Sequence, residues 1–247
     1  MISDALRVLR SIDLTNLDDG CSGNDVRALC RRAVTAHGAV AAVCVWPHHV
    51  GIAHRTLPGS GVAVATVANF PSGDQPLADV VRTVQRALDD GADEIDVVLP
   101  YRSFVRGETD SSGALLTGVR SVIDGDRVMK VILETGELGD TESMRRATRL
   151  AIDSGADFVK TSTGKTSVSA TPVAVGALLA VVHDEFRASG RRVGIKPSGG
   201  IRRIDDALVY LGMCDELLGS DWATPSTFRL GASALLDSVI DALDHPH

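Results

Sequence analysis

The sequence predicts an α/β fold, a single (β/α)₈ barrel in which eight parallel strands alternate with eight helices. Three observations carry this prediction. Short apolar runs are separated by amphipathic helical patterns along all 247 residues. The segments DDGADEID (89–96) and DSGADFVK (153–160) each follow a helix, and they begin 64 residues apart, the length of two βα units. One barrel domain ordinarily has this chain length.

The strands are predicted from runs rich in Val, Ile, Leu and Ala that are bounded by polar residues or glycine. In chain order they are 11–14, 41–45, 62–68, 93–99, 128–133, 157–160, 193–196 and 215–218. The helices are predicted from amphipathic spacing, from Gly-Ala-Asp stops and from the start signal of Thr171 and Pro172. They are 23–37, 47–55, 75–90, 113–124, 140–154, 172–188, 203–212 and 232–243.

An open, doubly wound sheet is the alternative fold. Its dinucleotide-binding fingerprint is incomplete here, because GSGVAV at 59–64 lacks the third glycine. The sequence has no linker and no low-complexity segment, so residues 1–247 are expected to form one domain.

The composition excludes several classes of protein. The net charge of −7 and the pI near 5.4 argue against a nucleic-acid partner. The N-terminal segment MISDALRVLR has no long apolar stretch, so no signal peptide is expected. The apolar runs are far shorter than the roughly 20 residues that a membrane span needs, so no membrane partner is expected. The four cysteines (21, 30, 44 and 214) have no CxxC spacing, which favours reduced thiols in the cytoplasm.

Lysine is scarce and clustered. Of the 25 basic residues only four are lysines, Lys130, Lys160, Lys165 and Lys196, and they fall within 67 residues. Arginine keeps its charge at every accessible pH, whereas a buried lysine can lose its proton. A chemical requirement for lysine is therefore expected at most of these positions, with chance survival as the alternative for one or two.

Polar residues interrupt or end the predicted strands, which is where barrels hold their active sites. Strands 5, 6 and 7 would each bring one lysine to a common mouth, and strands 4 and 1 would add Asp96 and Asp13. Gly194 shares a face with Lys196 and would leave room for its long side chain. The polar strand residues are Asp13, Cys44, Asn69, Asp96, Lys130, Glu134, Lys160 and Lys196. Such a cluster predicts an active site, and the alternative is an ion-pair network that only closes the barrel.

Clustered lysines are suited to Schiff-base chemistry. Only a neutral amine attacks a carbonyl, and a free lysine titrates near 10.4. Burial and a neighbouring cation both disfavour the charged form, so a buried lysine pair makes one of its members a nucleophile. A nearby aspartate can move protons on and off the carbon next to the imine.

Glycine turns follow the last predicted strands, in KPSGGIRRIDDAL (196–208) and LGSDWATPSTFRLGASALL (218–236). Glycines let backbone N–H groups approach an anion, and a helix N-terminus adds positive potential. In barrels these loops commonly hold phosphate. Lys165, in the loop after strand 6, could add charge.

The motifs together resemble the deoxyribose-phosphate aldolase family, in family order and over nearly the whole chain. They are IDLT (12–15), NFPSG (69–73), GADEIDVV (91–98), KVILETGEL (130–138), GADFVKTSTG (155–164), GIKPSGGIR (194–202) and DWATPSTFRLGAS (221–233). The resemblance implies reversible cleavage of 2-deoxy-D-ribose 5-phosphate to D-glyceraldehyde 3-phosphate and acetaldehyde, in deoxyribonucleoside breakdown. It also implies that no metal or organic cofactor is needed, because the protonated imine is the electron sink, and that the chain forms a homodimer.

The same resemblance implies residue roles. Lys160 matches the Schiff-base lysine, Lys196 the second lysine that lowers its pKa and takes part in proton transfer, and Asp96 the acid/base aspartate that works through water. Lys130, Asp13 and Cys44 match residues around the substrate. The phosphate-binding positions are Gly164, Lys165, Gly199, Gly200, Gly231 and Ser233.

The sequence departs from the family pattern at three places. Ala234 stands where relatives often have a second serine, and Trp46 where a tyrosine is common. The sequence ends in DHPH, whereas some members end in a tyrosine that reaches the site, and the last tyrosine here is Tyr210.

Three other functions stay open at this point. One is a Schiff-base aldolase for a different sugar phosphate, a choice that the loops around Asn69 and Tyr101 would decide. Another is a zinc-dependent aldolase that uses His48, His49 and His54, although all three lie in one short segment. A third is a phosphosugar-binding barrel without catalysis. Without the resemblance, Cys44 is expected to be a small core residue. Glu134 is expected to pair with a lysine.

Overall fold

Eight parallel strands form one sheet in the computed structural model, which describes residues 2–245. The strands are β1 (Ile12–Asn16), β2 (Ala42–Val45), β3 (Ala63–Ala68), β4 (Glu94–Val98), β5 (Val128–Ile132), β6 (Phe158–Lys160), β7 (Gly194–Lys196) and β8 (Leu230–Ala232). From β1 to β7 each strand pairs with the next in the chain, and β8 pairs with β1. Parallel bridges between Ile195 and Phe228 and between Ser198 and Gly231 join the two ends of the sheet. The predicted barrel is therefore confirmed, and the open sheet is not formed.

Helices follow the strands around the outside of the barrel. They are α1 (Ile2–Ser11), α2 (Gly23–Arg32), α3 (Val50–Thr56), α4 (Leu77–Asp89), α5 (Tyr101–Val105), α6 (Thr109–Arg120), α7 (Thr141–Asp153), α8 (Pro172–Ser189), α9 (Ile204–Leu218) and α10 (Leu235–Asp244). Two short 3₁₀ turns lie at Pro47–His49 and Thr135–Glu137. Pro172 follows Thr171, whose side chain caps the first turn of α8, so the predicted start of this helix is confirmed. None of the helices in residues 2–245 has the length and apolar character of a membrane span.

The predicted eighth strand, 215–218, is wrong. These residues continue α9, whose buried positions Ala207, Tyr210, Leu211 and Cys214 keep helical spacing. Gly212 lies inside this helix and does not end it. The eighth strand is Leu230–Ala232, so the last helix begins after residue 234 and not at residue 232.

Smaller differences concern the N-terminal part and the loops. No helix is predicted from the sequence for residues 2–10, which form most of α1. The predicted helix 23–37 ends at Arg32, and a small antiparallel hairpin, Val34–Thr35 with Gly38–Ala39, follows it. Of the C-terminal DHPH segment, residues 246 and 247 lie outside the described residues.

The register of the central strands sets the heights of the polar side chains. Asp96 lies level with Lys130, and Lys160 lies level with Lys196, two residues nearer the C-terminal ends of the strands. Alternate residues of a strand point to the same face, so these side chains meet inside the barrel near its C-terminal mouth. Gly194 serves a different purpose from the predicted one: a Cβ there would lie 2.3 Å from the ring of Phe158 on the neighbouring strand. The glycine makes room for this ring, not for Lys196.

Candidate active site

A buried network of four cations and three carboxylates fills the barrel below its C-terminal mouth. Every member is at most 6% exposed. The strands β1, β4, β5, β6 and β7 supply the five residues predicted from the sequence, and two further members were not predicted. The network consists of Asp13, Glu94, Asp96, Lys130, Lys160, Lys196 and Arg229.

Asp96 is the centre of this network. Its Oδ2 accepts hydrogen bonds from Lys160 at 2.8 Å and from Lys196 at 2.7 Å, and its Oδ1 accepts one from Lys130 at 2.8 Å. Burial acts to raise the pKa of Asp96, but the three lysines hold it well below its usual range. The carboxylate therefore stays ionised and binds all three predicted lysines at one point.

Asp13 lies on the other side of Lys196, and the distance from its Oδ2 to the Nζ of Lys196 is 2.5 Å. Burial opposes ionisation here too, yet the charges of Lys196, Arg229 and Lys130 lower the pKa of Asp13. Lys196 is thus held between two carboxylates. Asp13 and Lys130 have no exposed surface, so in this structure both face the network and not the pocket.

Sequence reasoning missed Arg229 as a site residue and gave Glu94 no role. Arg229 donates to Asp13 at 2.6 Å and to Oε1 of Glu94 at 2.7 Å, and Glu94 also pairs with Lys130 at 2.5 Å. Arg229 was missed because the eighth strand was placed elsewhere. The available signal was a charged residue between Phe228 and Leu230, inside an apolar run.

The three lysines share Asp96 but differ in exposure and pKa. Lys160 is 4% exposed and is the only one of the three that lines the pocket above the network. Burial lowers the pKa of Lys160, and the charge of Lys196 acts in the same direction against the opposing charge of Asp96. Burial acts likewise on Lys196, but Asp13 and Asp96 raise its pKa above the usual value. The pKa of Lys130 is also raised, because Asp96 and Glu94 outweigh burial.

The pocket above the network has a volume of about 280 Å³. It brings together Lys160 and all six residues that were matched to phosphate binding: Gly164, Lys165, Gly199, Gly200, Gly231 and Ser233. Lys165 reaches across the mouth and donates from Nζ to the carbonyl of Leu17 at 2.8 Å. A larger cavity of about 840 Å³ lies at the opposite end of the barrel, and Arg229 is the only network residue that lines it. Of these two cavities, only the smaller is lined by Lys160.

Cys44 and Asn69 lie near this region in different roles. Cys44 is fully buried on β2, and burial, together with the charge of Asp96, raises the pKa of its thiol. It does not line the pocket, so the interpretation as a small core residue fits its place better than substrate binding. Asn69 uses its side chain on the backbone, donating to the carbonyl of Val98 and accepting from the N–H of Gln75, both at 2.9 Å.

Glu134 does not pair with a lysine, contrary to the expectation. Its buried carboxylate accepts hydrogen bonds from the backbone N–H and the hydroxyl of Thr163 and from the hydroxyl of Thr166. The carboxylate belongs to the loop after β6 and not to the lysine network.

The three clustered histidines do not converge on one point. Nε2 of His49 lies 2.9 Å from the carbonyl of Cys21, the ring of His48 packs against that of His49, and His54 packs against Gly91. Within residues 2–245, no three His, Cys, Asp or Glu side chains are arranged to hold a metal ion.

Two departures from the family pattern have structural consequences. Trp46 donates from Nε1 to the carbonyl of Asp18 at 3.1 Å and packs edge-on against Phe70. It therefore supports the loop after β1, which Lys165 contacts from the other side. Ala234 immediately precedes α10 and has no side-chain group that could cap this helix or bind an anion.

Comparison with known proteins shows clear relatives. The sequence profile of the DeoC/LacD family aldolases matches residues 7–218. The chain is 44% identical over 240 residues to the deoxyribose-phosphate aldolase of Agrobacterium fabrum, covering 97% of this chain and 91% of that protein. A crystal structure from Coccidioides immitis, provisionally assigned as a deoxyribose-phosphate aldolase, has a TM-score of 0.84 at 30% identity, with 96% and 86% of the two chains covered. The tetrameric deoxyribose phosphate aldolase of Aeropyrum pernix has a TM-score of 0.76 at 27% identity, with 98% and 96% covered.

Proposed function

Because the chain belongs to the DeoC/LacD aldolase family, we propose that the lysine network carries out a class I aldolase reaction on 2-deoxy-D-ribose 5-phosphate. The chain is an aldehyde-lyase of the deoxyribose-phosphate aldolase type. It cleaves this sugar phosphate reversibly to D-glyceraldehyde 3-phosphate and acetaldehyde through a lysine Schiff base.

One observation carries the choice of nucleophile. Lys160 alone among the network lysines both opens into the pocket and has a lowered pKa. A substrate aldehyde can reach its amine, and a larger fraction of that amine is neutral than in an ordinary lysine. Lys196 lies beside it with its charge retained and so favours the neutral form of Lys160.

The charge of the network supports the same assignment. With all seven groups ionised, four cations face three carboxylates, which leaves one positive charge in excess. A buried charge without a partner is unfavourable, and it disappears when one cation of the network loses its proton. Loss of one proton from Lys160 makes the network neutral, so the reactive form of the enzyme is also the balanced one.

The proposed reaction starts when the amine of Lys160 adds to the aldehyde carbon of the open-chain sugar phosphate and water leaves. The protonated imine keeps one N–H, which can donate to Asp96 as the ammonium does now at 2.8 Å. The negative charge of Asp96 thereby stabilises the cation that acts as electron sink.

Carbon–carbon cleavage follows in the proposed sequence. Removal of the proton from the hydroxyl on the third carbon breaks the bond between the second and third carbons, and glyceraldehyde 3-phosphate leaves. The electron pair enters the imine as an enamine, which takes a proton at its terminal carbon. Water then releases acetaldehyde and restores Lys160. Asp96 would act through water, with Lys196 sharing the proton transfer, because the carboxylate itself is fully buried among the lysines.

The phosphate end of the substrate is assigned to the glycine-rich side of the pocket. Gly199 and Gly200 have positive φ values of 84° and 80°, a conformation that glycine adopts without strain. Their backbone, with Gly164, Gly231 and Ser233, surrounds a space that Lys165 borders. Backbone N–H groups and the cations Lys165 and Arg202 are suited to bind a phosphate, and the carboxylate of Asp18, which also lines the pocket, reduces the positive potential there.

Three wider properties complete the proposal. The chain forms one domain, works in the cytoplasm and takes part in deoxyribonucleoside breakdown. The four cysteines are all free thiols, which suits a reducing compartment. We also propose a homodimer, and light scattering of the purified protein measures this directly.

Borohydride trapping tests the proposed function. The protein is incubated with acetaldehyde or 2-deoxyribose 5-phosphate, reduced with borohydride, digested and examined by mass spectrometry. A reduced two-carbon adduct on Lys160, with turnover that resists a chelator, is the expected result. An adduct on Lys196 would exchange the roles of the two lysines. The aldolase mechanism fails if no lysine is labelled under conditions that label a known class I aldolase.

A further inference from the structure

We propose that Glu134 is a positioning residue that holds the phosphate-binding loop in its binding conformation. The loop in question is the segment 163–168, which follows β6 and carries Gly164 and Lys165. The inference rests on the proposed function, since it assigns a role in binding the phosphate of the same substrate. Glu134 lies outside the pocket lining and would act only through Thr163 and Thr166.

Glu134 is unusual as a carboxylate. It is fully buried and has a φ of 55°, a conformation that a residue other than glycine seldom adopts. No arginine or lysine of the described chain lies within salt-bridge distance of it, whereas each of the other buried carboxylates in the barrel has at least two cationic partners. A buried charge needs compensation, and Glu134 obtains it from hydrogen-bond donors alone.

All of these donors belong to the phosphate loop. The N–H of Thr163 lies 3.2 Å from Oε2 of Glu134, the Thr163 hydroxyl bonds to the same oxygen, and the Thr166 hydroxyl lies 3.1 Å from Oε1. Hydrogen bonds to an ionised acceptor are about twice as strong as neutral ones. The carboxylate therefore fixes both ends of the stretch 163–166.

The Thr163 hydroxyl passes this constraint to the binding residues. It donates to Glu134 and accepts from the backbone N–H of Lys165 at 3.0 Å, so Gly164 lies in a turn closed by the threonine side chain. Lys165 then bonds across the mouth to Leu17. These contacts form a continuous path from Glu134 to the two loop residues that face the phosphate.

Few other hydrogen bonds hold this loop. Among the described residues, the only other hydrogen bond that ties segment 163–168 to the rest of the protein is the one from Lys165 to Leu17. Val168 packs closely against Gly136, but Gly164, Lys165, Ser167 and Val168 are exposed. A loop with so few hydrogen bonds would lose freedom on binding a phosphate, and ordering it beforehand lowers that cost. The barrel itself does not need a charged group here, whereas a loop that must keep one conformation gains from a carboxylate that fixes its hydroxyl and backbone donors.

The test compares a phosphorylated with an unphosphorylated substrate. We would measure kcat and KM of the wild type, Glu134→Ala, Thr163→Val and the double variant on 2-deoxyribose 5-phosphate and on 2-deoxyribose. The expected result is a fall in kcat/KM of roughly tenfold for the phosphate ester, mainly through KM, with a change of less than about threefold for the free sugar. Because Glu134 acts through Thr163, the double variant should lose little more than either single variant.

Glu137→Ala is the matched control. Glu137 lies three residues further, at the end of the 3₁₀ turn that Glu134 precedes, and is exposed, with no side-chain hydrogen bond in the described structure. This variant should match the wild type on both substrates. Equal losses on both substrates in Glu134→Ala and Thr163→Val would show a general structural role and overturn the proposal, as would no loss on either.

A binding measurement separates this inference from the proposed function. Calorimetry with inorganic phosphate needs no turnover, and we expect roughly tenfold weaker binding to Thr163→Val, which keeps the shape of the side chain should Glu134→Ala not fold. If the wild type binds phosphate but cleaves neither sugar, the proposed function fails while the positioning role is still tested by this comparison. Unchanged phosphate binding in the variants would overturn the role of Glu134 whatever the reaction.

Discussion

At the scale of single residues, three lysines that share one carboxylate differ in their pKa values. Lys130, Lys160 and Lys196 all contact Asp96, yet only the pKa of Lys160 is lowered. The difference comes from the second partner. Lys130 has Glu94 and Lys196 has Asp13, whereas Lys160 has no second carboxylate and faces the pocket. The proposed nucleophile is thus the lysine with one carboxylate partner fewer.

This arrangement predicts that Lys160, which the proposed reaction needs, lowers the free energy of unfolding. A lowered lysine pKa means that folding works against the charged form at neutral pH. Lys160→Met keeps the apolar stem and removes the excess charge, so it should abolish turnover while raising the free energy of unfolding by roughly 1 kcal/mol. Urea unfolding and the melting temperature, expected to rise by about 2–4 °C, provide the measurement. A destabilised Lys160→Met would show that the ion pair with Asp96 outweighs the desolvation of the lysine.

The second residue-scale prediction concerns the pH dependence of imine formation. The charge of Lys196 lowers the pKa of Lys160, so Lys196→Met should raise that pKa. The neutral fraction of Lys160 at a given pH then falls, and the acid limb of acetaldehyde trapping moves to higher pH. Trapping rates between pH 5 and 10 measure the shift, with Arg187→Met on the exposed surface of α8 as the control. A limb that stays in place, or moves to lower pH, contradicts the proposed interaction.

At the scale of elements, seven of the eight strands could be predicted from the sequence, and β8 could not. Its three residues follow Arg229, a charged side chain that a local pattern assigns to a surface. Only the tertiary network shows that this arginine points inward to Asp13 and Glu94. The segment 215–218 was predicted as a strand, but these residues are the last turn of α9.

The residues of the candidate site could be predicted where their strands could be predicted. Residues at the ends of well-predicted strands, such as Asp96, Lys160 and Lys196, could be placed together because parallel strands end at one edge of the barrel. Glu134 was recognised as polar but given the wrong partner. Its left-handed backbone turns the carboxylate toward the loop after β6, and neither spacing nor composition shows that turn.

Strand packing inside the barrel gives a prediction at the element scale. A Cβ on Gly194 would lie 2.3 Å from the ring of Phe158, so β6 and β7 can pair at this register only with glycine there. Gly194→Ala should lower the free energy of unfolding by about 1–3 kcal/mol through overpacking, and a second change, Phe158→Leu, should restore part of it. Urea unfolding of both variants measures the effect.

A glycine in an open setting is the control for this experiment. Gly176 lies within α8, and a Cβ there would meet only Met213 at 3.6 Å, an ordinary contact. Gly176→Ala should be neutral or stabilising, because alanine is the better helix former. If Gly194→Ala costs no more than Gly176→Ala, the ring of Phe158 moves freely and does not fix the register.

At the scale of the whole molecule, the buried network makes folding depend on pH at both extremes. The pKa values of Asp13 and Asp96 are lowered in the folded protein, so their contribution to stability is complete above the unfolded carboxyl pKa of about 3.9 and is lost as the pH falls through the folded values. The pKa values of Lys130 and Lys196 are raised, so their contribution is complete below about 10.4 and is lost as the pH rises toward the folded values.

The pKa shift of Lys160 has the opposite sign to those of Lys130 and Lys196, which distinguishes this network from a purely structural one. With its pKa lowered, the unfolded chain binds the proton more tightly, so stability should rise with pH between the folded value and about 10.4. Urea unfolding at steps from pH 3 to 11 should therefore show a loss below about pH 4, a rise on the alkaline side of neutrality and a loss above about pH 10. In Lys160→Met the alkaline rise should vanish while both losses remain. A rise that persists in this variant would come from another group, and the assignment of Lys160 as the group that loses its proton would then be wrong.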